Sequence, residues 1–148
     1  MISPRGRRIA IDVGSVRVGV AVCDPDGILA TPVETVRRAK DGSDIERIVE
    51  IIDEYEAVGV VIGLPRTLAN TEGHATRFAR GFGRALAARL RERDDRPDVP
   101  TEFYDERLTT VTATTALRAN GVKAKDARAV VDQAAAVAIL QGWLDAHR

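Results

Sequence analysis

The sequence predicts an α/β domain: a five-stranded mixed sheet flanked by helices, in the order βββ-α-β-α-β-α-α. Three observations carry this reading. Two short β-branched runs, 8–13 and 17–23, flank Gly14-Ser15 and open the chain as a hairpin. A continuous apolar run, Val58-Gly59-Val60-Val61-Ile62-Gly63, follows a helical pattern, as a buried parallel strand does. The remaining segments alternate between helical and strand-like patterns, which argues for helices covering a mixed sheet. Strands one to three should be antiparallel, and four and five parallel to the first.

The elements follow in order. Asp24-Pro25-Asp26-Gly27 is a turn signal, and a third strand runs from Ile28 to Val36, with Pro32 placing it at an edge or bulge. Ser43 or Asp44 is the expected cap of a helix carrying Ile45, Ile48, Val49, Ile52 and Tyr55 at helical spacing. After the fourth strand, Asn70 or Thr71 is the expected cap of a helix running to about Arg93. Phe78, Phe82, Leu86 and Leu90 repeat along one side of it, with Arg77, Arg80, Arg84 and Arg91 roughly opposite. Val99–Tyr104 is the fifth strand. A short helix over 109–119 should end at Asn120-Gly121. Val122–Lys125 reads as a basic linker, Asp126 as a cap, and Ala127–Ala146 as the last helix.

The 148 residues read as a single domain, 1–148, with 1–7 as a flexible N-terminal extension. The chain is long enough for a core without disulfides or structural zinc. Cys23 is the one cysteine and sits in an apolar run, so it reads as a small buried hydrophobe in a reducing compartment. No apolar stretch suits a membrane span, and a cytoplasmic location is expected. Lys+Arg 22 balances Asp+Glu 22, so nucleic-acid binding must rest on a local patch.

Three carboxylates hold the chemical signal. Asp12 ends the first strand pattern, beside Gly14, and alone could equally be a turn former. Glu106 follows the fifth strand in Tyr104-Asp105-Glu106-Arg107-Leu108; by alternation only one of Asp105 and Glu106 can face a shared site. Asp132 lies on the apolar stripe of the last helix, with Ala135, Ala136, Ile139, Leu140 and Trp143. An acid there needs a metal or a cationic partner, and an Arg from another element is the plainer alternative. Oxygen ligands from separate elements suit Mg²⁺ or Mn²⁺ and metal-assisted phosphodiester hydrolysis. Arg17, Arg37, Arg38, Lys40, Lys123 and Lys125 are basic candidates outside the arginine-bearing helix, whose charged face is most simply solvated.

Together these motifs resemble the RuvX (YqgF) family of RNase H-like proteins, pre-16S rRNA nucleases or Holliday junction resolvases. The resemblance spans Ile9 to about Trp143. It rests on Ile11-Asp12-Val13-Gly14, Val61-Ile62-Gly63-Leu64-Pro65, Asp105-Glu106-Arg107-Leu108-Thr109-Thr110 and the run from Asp132-Gln133 to Leu140-Gln141. It implies Asp12, Glu106 and Asp132 as the metal-binding catalytic acids, favouring Glu106 over Asp105, and one or two Mg²⁺ or Mn²⁺ ions. Arg66 or Arg107 would steady the scissile phosphate, and Arg17, Arg66, Arg107, Lys123 and Lys125 are the expected phosphate contacts. The implied substrate is precursor rRNA, or alternatively branched DNA, for which a symmetric homodimer would be expected. A non-catalytic nucleic-acid-binding protein is a further alternative, disfavoured because clustered acids hinder plain phosphate binding. A kinase of the actin and sugar-kinase type also opens with Asp-x-Gly but needs two lobes and a longer chain.

Overall fold

The computed structural model describes residues 6–64, 74–93, 96, 98–105 and 124–147, with the side chains of 74, 75 and 124–130 outside that description. Five strands form one sheet in the order β3-β2-β1-β4-β5. β1 (Arg8–Val13), β2 (Arg17–Cys23) and β3 (Ala30–Arg37) form an antiparallel meander. β4 (Gly59–Leu64) is parallel to β1, and β5 (Thr101–Asp105) is parallel to β4. Three described helices accompany the sheet: α1 (Ser43–Glu54), α2 (His74–Arg91) and α3 (Ala124–Ala146). The sheet is the mixed one the sequence predicts. The expected helix over 109–119 and the caps at Asn70 or Thr71 lie outside the described residues.

Local chemistry sets the element boundaries. The Gly14 N–H donates to the Arg17 carbonyl at 2.8 Å and closes the β1–β2 hairpin. β3 begins at Ala30, not at Ile28, because the Asp24 carboxylate takes the N–H groups of Ile28 (2.8 Å) and Leu29 (2.7 Å). Those bonds, the one from Leu29 foremost, hold the Asp24 carboxyl below its ordinary pKa. Pro32 sits in an edge strand beside a register shift at Val20/Ala21, so both of its expected settings occur.

The α1 cap differs from expectation. Gly42 is the N-cap, at φ 85, and no side chain caps the helix. A left-handed turn suits glycine and leaves Ser43 already inside the helix. Asp44 turns inward instead, taking bonds from Arg38 Nε and the Ala39 N–H at 3.2 Å each. On α2, Phe82, Leu86 and Leu90 are buried, whereas Phe78 is 41% exposed and Ala79 and Thr76 are buried in its place. α3 starts at Ala124, so Asp126 lies within the first turn and is not a cap, and Lys125 is helical, not part of a linker. At the other end of the described chain, the Gly6 N–H donates to the Pro25 carbonyl at 2.7 Å and the Arg7 carbonyl accepts the Val58 N–H at 2.8 Å.

Period-two alternation gives the sheet two unlike faces. Ile9, Ile11, Val18, Val20, Val60 and Ile62 face α1 and α2 and join Ile48, Ile52, Phe82 and Leu86 in one core cluster. Ala10, Ala21, Cys23, Ala30 and Val61 face α3 and meet Ala136, Ile139, Leu140, Trp143 and Leu144. Cys23 is buried as expected, and burial raises its thiol pKa. Gln141 ties α3 to the edge strand: its Oε1 accepts the Ala30 N–H at 3.0 Å and its Nε2 donates to the Ile28 carbonyl at 2.9 Å.

Candidate metal and nucleic-acid site

Asp12 lies directly opposite Gly19 in the β1–β2 pair. Opposed residues in an antiparallel pair share a face, so both belong to the layer that α3 covers. A Cβ on Gly19 would stand 1.9 Å from the Asp132 carbonyl oxygen. The α3 backbone is therefore seated flush on β2 at this one point, which a side chain would block. The contact brings the backbone of Asp132 to the strand position facing Asp12. The two half-buried acids share one side of the sheet.

Asp12 is also close to the carboxyl end of β1, where the chain order reverses: β2 and β3 lie on one side of β1, β4 and β5 on the other. In open α/β sheets ligands bind at such a reversal, outside the carboxyl ends of the strands. Tyr104 of β5 packs into the α3-side cluster, while the ring of Phe103 meets the α2 side near Gly83. Alternation thus places Asp105 on the side away from α3, with Phe103. Glu106 lies outside the described residues, and among the described residues no three acids, histidines or cysteines gather as a metal site.

Asp132 is paired. Arg17 Nε donates to its Oδ2 at 2.8 Å, with the side chains 36% and 23% exposed. The cationic partner that an acid on an apolar stripe requires is thus present, and it comes from β2, two residues from Gly19 and on the same face. In the β1–β2 register Arg17 stands diagonal to Asp12, on the same face of the sheet. At this exposure such a pair contributes no more than about 1 kcal/mol, so it yields readily to a stronger competitor. Next to it, Gln133 Nε2 donates to Thr35 Oγ1 at 3.1 Å and anchors α3 on β3.

The other basic candidates separate. Arg38 is structural: besides Asp44, it donates to the Gly14 carbonyl at 2.9 Å and lies over the Phe82 ring. Arg77, Arg84 and Arg91 are exposed on α2, and Arg80 lies over the Phe103 ring. Arg66, Arg107 and Lys123 lie outside the described residues, and of Lys125 only the backbone is described. Sequence reasoning missed Gly19 as a site residue. Its signal was available, since an isolated glycine inside a strand pattern marks a close backbone approach.

The donor set fits a hard divalent ion: Asp12 and Asp132 offer carboxylate oxygens, and Cys23, bonded to the Arg8 N–H through its sulfur, is tied to backbone elsewhere on the sheet. No described helix is long and apolar enough to cross a membrane.

Known proteins match this chain at two levels. The family model for RuvX, described as Holliday junction resolvase, matches residues 6–146. A Rhodococcus opacus protein named "Putative pre-16S rRNA nuclease" is 61% identical over 145 residues, covering 95% of this chain and 78% of its own. One of the same name from Mycobacterium ulcerans is 55% identical over 144 residues, covering 97% and 81%. Among solved structures, Thermus thermophilus RuvC in complex with a Holliday junction substrate superposes with a TM-score of 0.56 at 16% identity, over 96% of this chain and 95% of that one. The yeast mitochondrial Holliday junction resolvase Ydc2 gives 0.55 at 11% identity, over 97% and 80%. At such identities the structural likeness is one of fold, the RNase H-like resolvase fold. The sequence relatives go further, and this chain belongs to the RuvX family.

Proposed function

We propose that the chain is a Mg²⁺- or Mn²⁺-dependent endonuclease of structured nucleic acid, processing the 5′ end of pre-16S rRNA in the cytoplasm. The observation that carries the reaction type is the seating of Asp132 over Gly19, opposite Asp12, on the strand pair beside the chain reversal. Glu106 completes the acid set: with Tyr104 on the α3 side, a regular continuation of β5 would bring residue 106 to that side and leave Asp105 on the other. Bound to these acids, divalent ions supply Lewis-acid activation of water and stabilise the leaving oxygen. The chain's own part is to hold the carboxylates in register through the flush α3–β2 contact. Its arginines neutralise phosphate, with Arg17, Arg66, Arg107, Lys123 and Lys125 as contacts. The names of the sequence relatives support the rRNA substrate.

Replacing Asp12 with Asn removes a ligand charge and little volume. Asp12→Asn should lower cleavage of a pre-16S 5′ fragment in Mn²⁺ by at least about a hundredfold, with an unchanged urea midpoint. Full activity in this variant would remove the acid site from the mechanism. Branched DNA is the second reading, favoured by the resolvase-like fold; it calls for a symmetric dimer. Paired nicks in a four-way junction, with normal rRNA ends in depleted cells, would establish it instead.

A further inference from the structure

Arg17 and Arg37 are directly opposed in the β2–β3 ladder. Val18 and Val36, the next pair, are buried on the α1 side, so both arginines project to the α3 side, where Arg17 meets Asp132. Like charges directly opposite each other on a sheet are unfavourable. Only one of these two has an acidic partner: among the described residues no carboxylate pairs with Arg37. Between them lies a groove of about 370 Å³, lined by Val16, Arg17, Thr35 and Arg37. Its floor is fixed, since Thr35 is held by Gln133 of α3 and the Val16 carbonyl accepts the Arg38 N–H at 2.8 Å. Two opposed arginines that share one carboxylate, at the rim of a firm groove, are a site for an anion.

We propose that Arg17 and Arg37 together seat one backbone phosphate of the nucleic-acid strand lying beside Asp12 and Asp132. The proposal rests on the nuclease reading above and adds where the strand enters: over the open end of the β2–β3 hairpin. Arg37 is the standing contact. Arg17 is shared, since a phosphate oxygen competes with Asp132 for the same guanidinium. Whatever cation takes Asp132 frees Arg17 for the phosphate, and so metal and strand binding reinforce each other.

The test compares Arg37→Gln with its parent, both in the full chain carrying Asp12→Asn, in Mg²⁺ across a salt series. The probes are a labelled RNA hairpin and a labelled four-way DNA junction; the tighter one identifies the strand chemistry. Arg37→Gln should weaken binding roughly tenfold and make the plot of log affinity against log salt shallower by about one. Its melting temperature should stay level or rise, because a like-charge opposition is relieved. Arg96→Gln, at the other end of the sheet, should change neither affinity nor slope. Unchanged binding in Arg37→Gln, in a protein that still cleaves without Asp12→Asn, overturns the phosphate seat alone. A weakening with no change in slope and a lowered melting temperature makes Arg37 structural and overturns it too. A wild-type protein that neither binds nor cuts either probe overturns the nuclease reading along with it.

Discussion

The two faces of the sheet solve different problems with different residues. Toward α1 and α2 the strands present Ile9, Ile11, Val18, Val20 and Ile62, large and β-branched, which keep the helices at ordinary packing distance. Toward α3 they present Ala10, Gly19 and Ala21, so that a helix backbone reaches the sheet. The first face supplies burial. The second gives up side-chain volume to place a carboxylate. The contrast shows where substitutions should cost stability alone and where they should cost chemistry.

The largest loss of stability is expected from Ile11→Ala, on the bulky face. Ile11 is fully buried, and truncation there should lower unfolding free energy by about 2–5 kcal/mol, read from urea denaturation. Cleavage per folded molecule should be preserved, since nothing on the α3 side moves. A site that fails in step with this cavity would mean the two faces are coupled.

Gly19→Ala should come next in stability, at about 1–3 kcal/mol, yet first in its effect on the site. One methyl group meets the Asp132 carbonyl, a backbone atom that cannot turn aside, so α3 must lift. Activity should fall well beyond the folded fraction, measured as cleavage under conditions where circular dichroism shows the variant fully folded. Normal cleavage in folded Gly19→Ala would show that the close approach has no bearing on the acids.

The smallest effect sharpens the comparison by pH. On the α1 side, Arg47 binds Glu34 through two bonds of 2.6 and 2.9 Å and lowers its pKa. A depressed carboxyl contributes stability above its unfolded pKa and loses it as pH falls through the folded one. Wild type should therefore lose up to about 1 kcal/mol below the usual carboxylate range that Glu34→Gln does not lose. Parallel acid melts of the two proteins check this; identical curves would assign the pair no net contribution.

Much of the fold is legible in the sequence, because β-branched runs and turn residues are local signals. β1, β2 and β4 fall within a residue of the patterns that announce them. Failures came where a second partner decides the outcome. The Ile28 and Leu29 N–H groups go to the Asp24 carboxylate, so the third strand starts late. Phe78 heads a series spaced by four; at about 100° per residue each step drifts about 40°, and the first member has turned out of the stripe. The reading of Asp132 captured its need for a partner, and the alternative of an arginine from another element is what the structure shows. That the arginine also lies diagonal to Asp12 on the same face depends on the β1–β2 register, which no single-residue pattern encodes.

The Arg17–Asp132 pair joins positions 115 residues apart in the chain. A ribosome adds about 5–20 residues per second, so roughly 6–23 s separate the synthesis of the two partners. The hairpin with Asp12 can form early from neighbouring residues, but it waits for α3 before the carboxylate of Asp132 arrives. A nascent chain therefore carries the scaffold of the site without its chemistry. Under the nuclease reading, the enzyme stays inert beside the ribosome that makes it until α3 has docked.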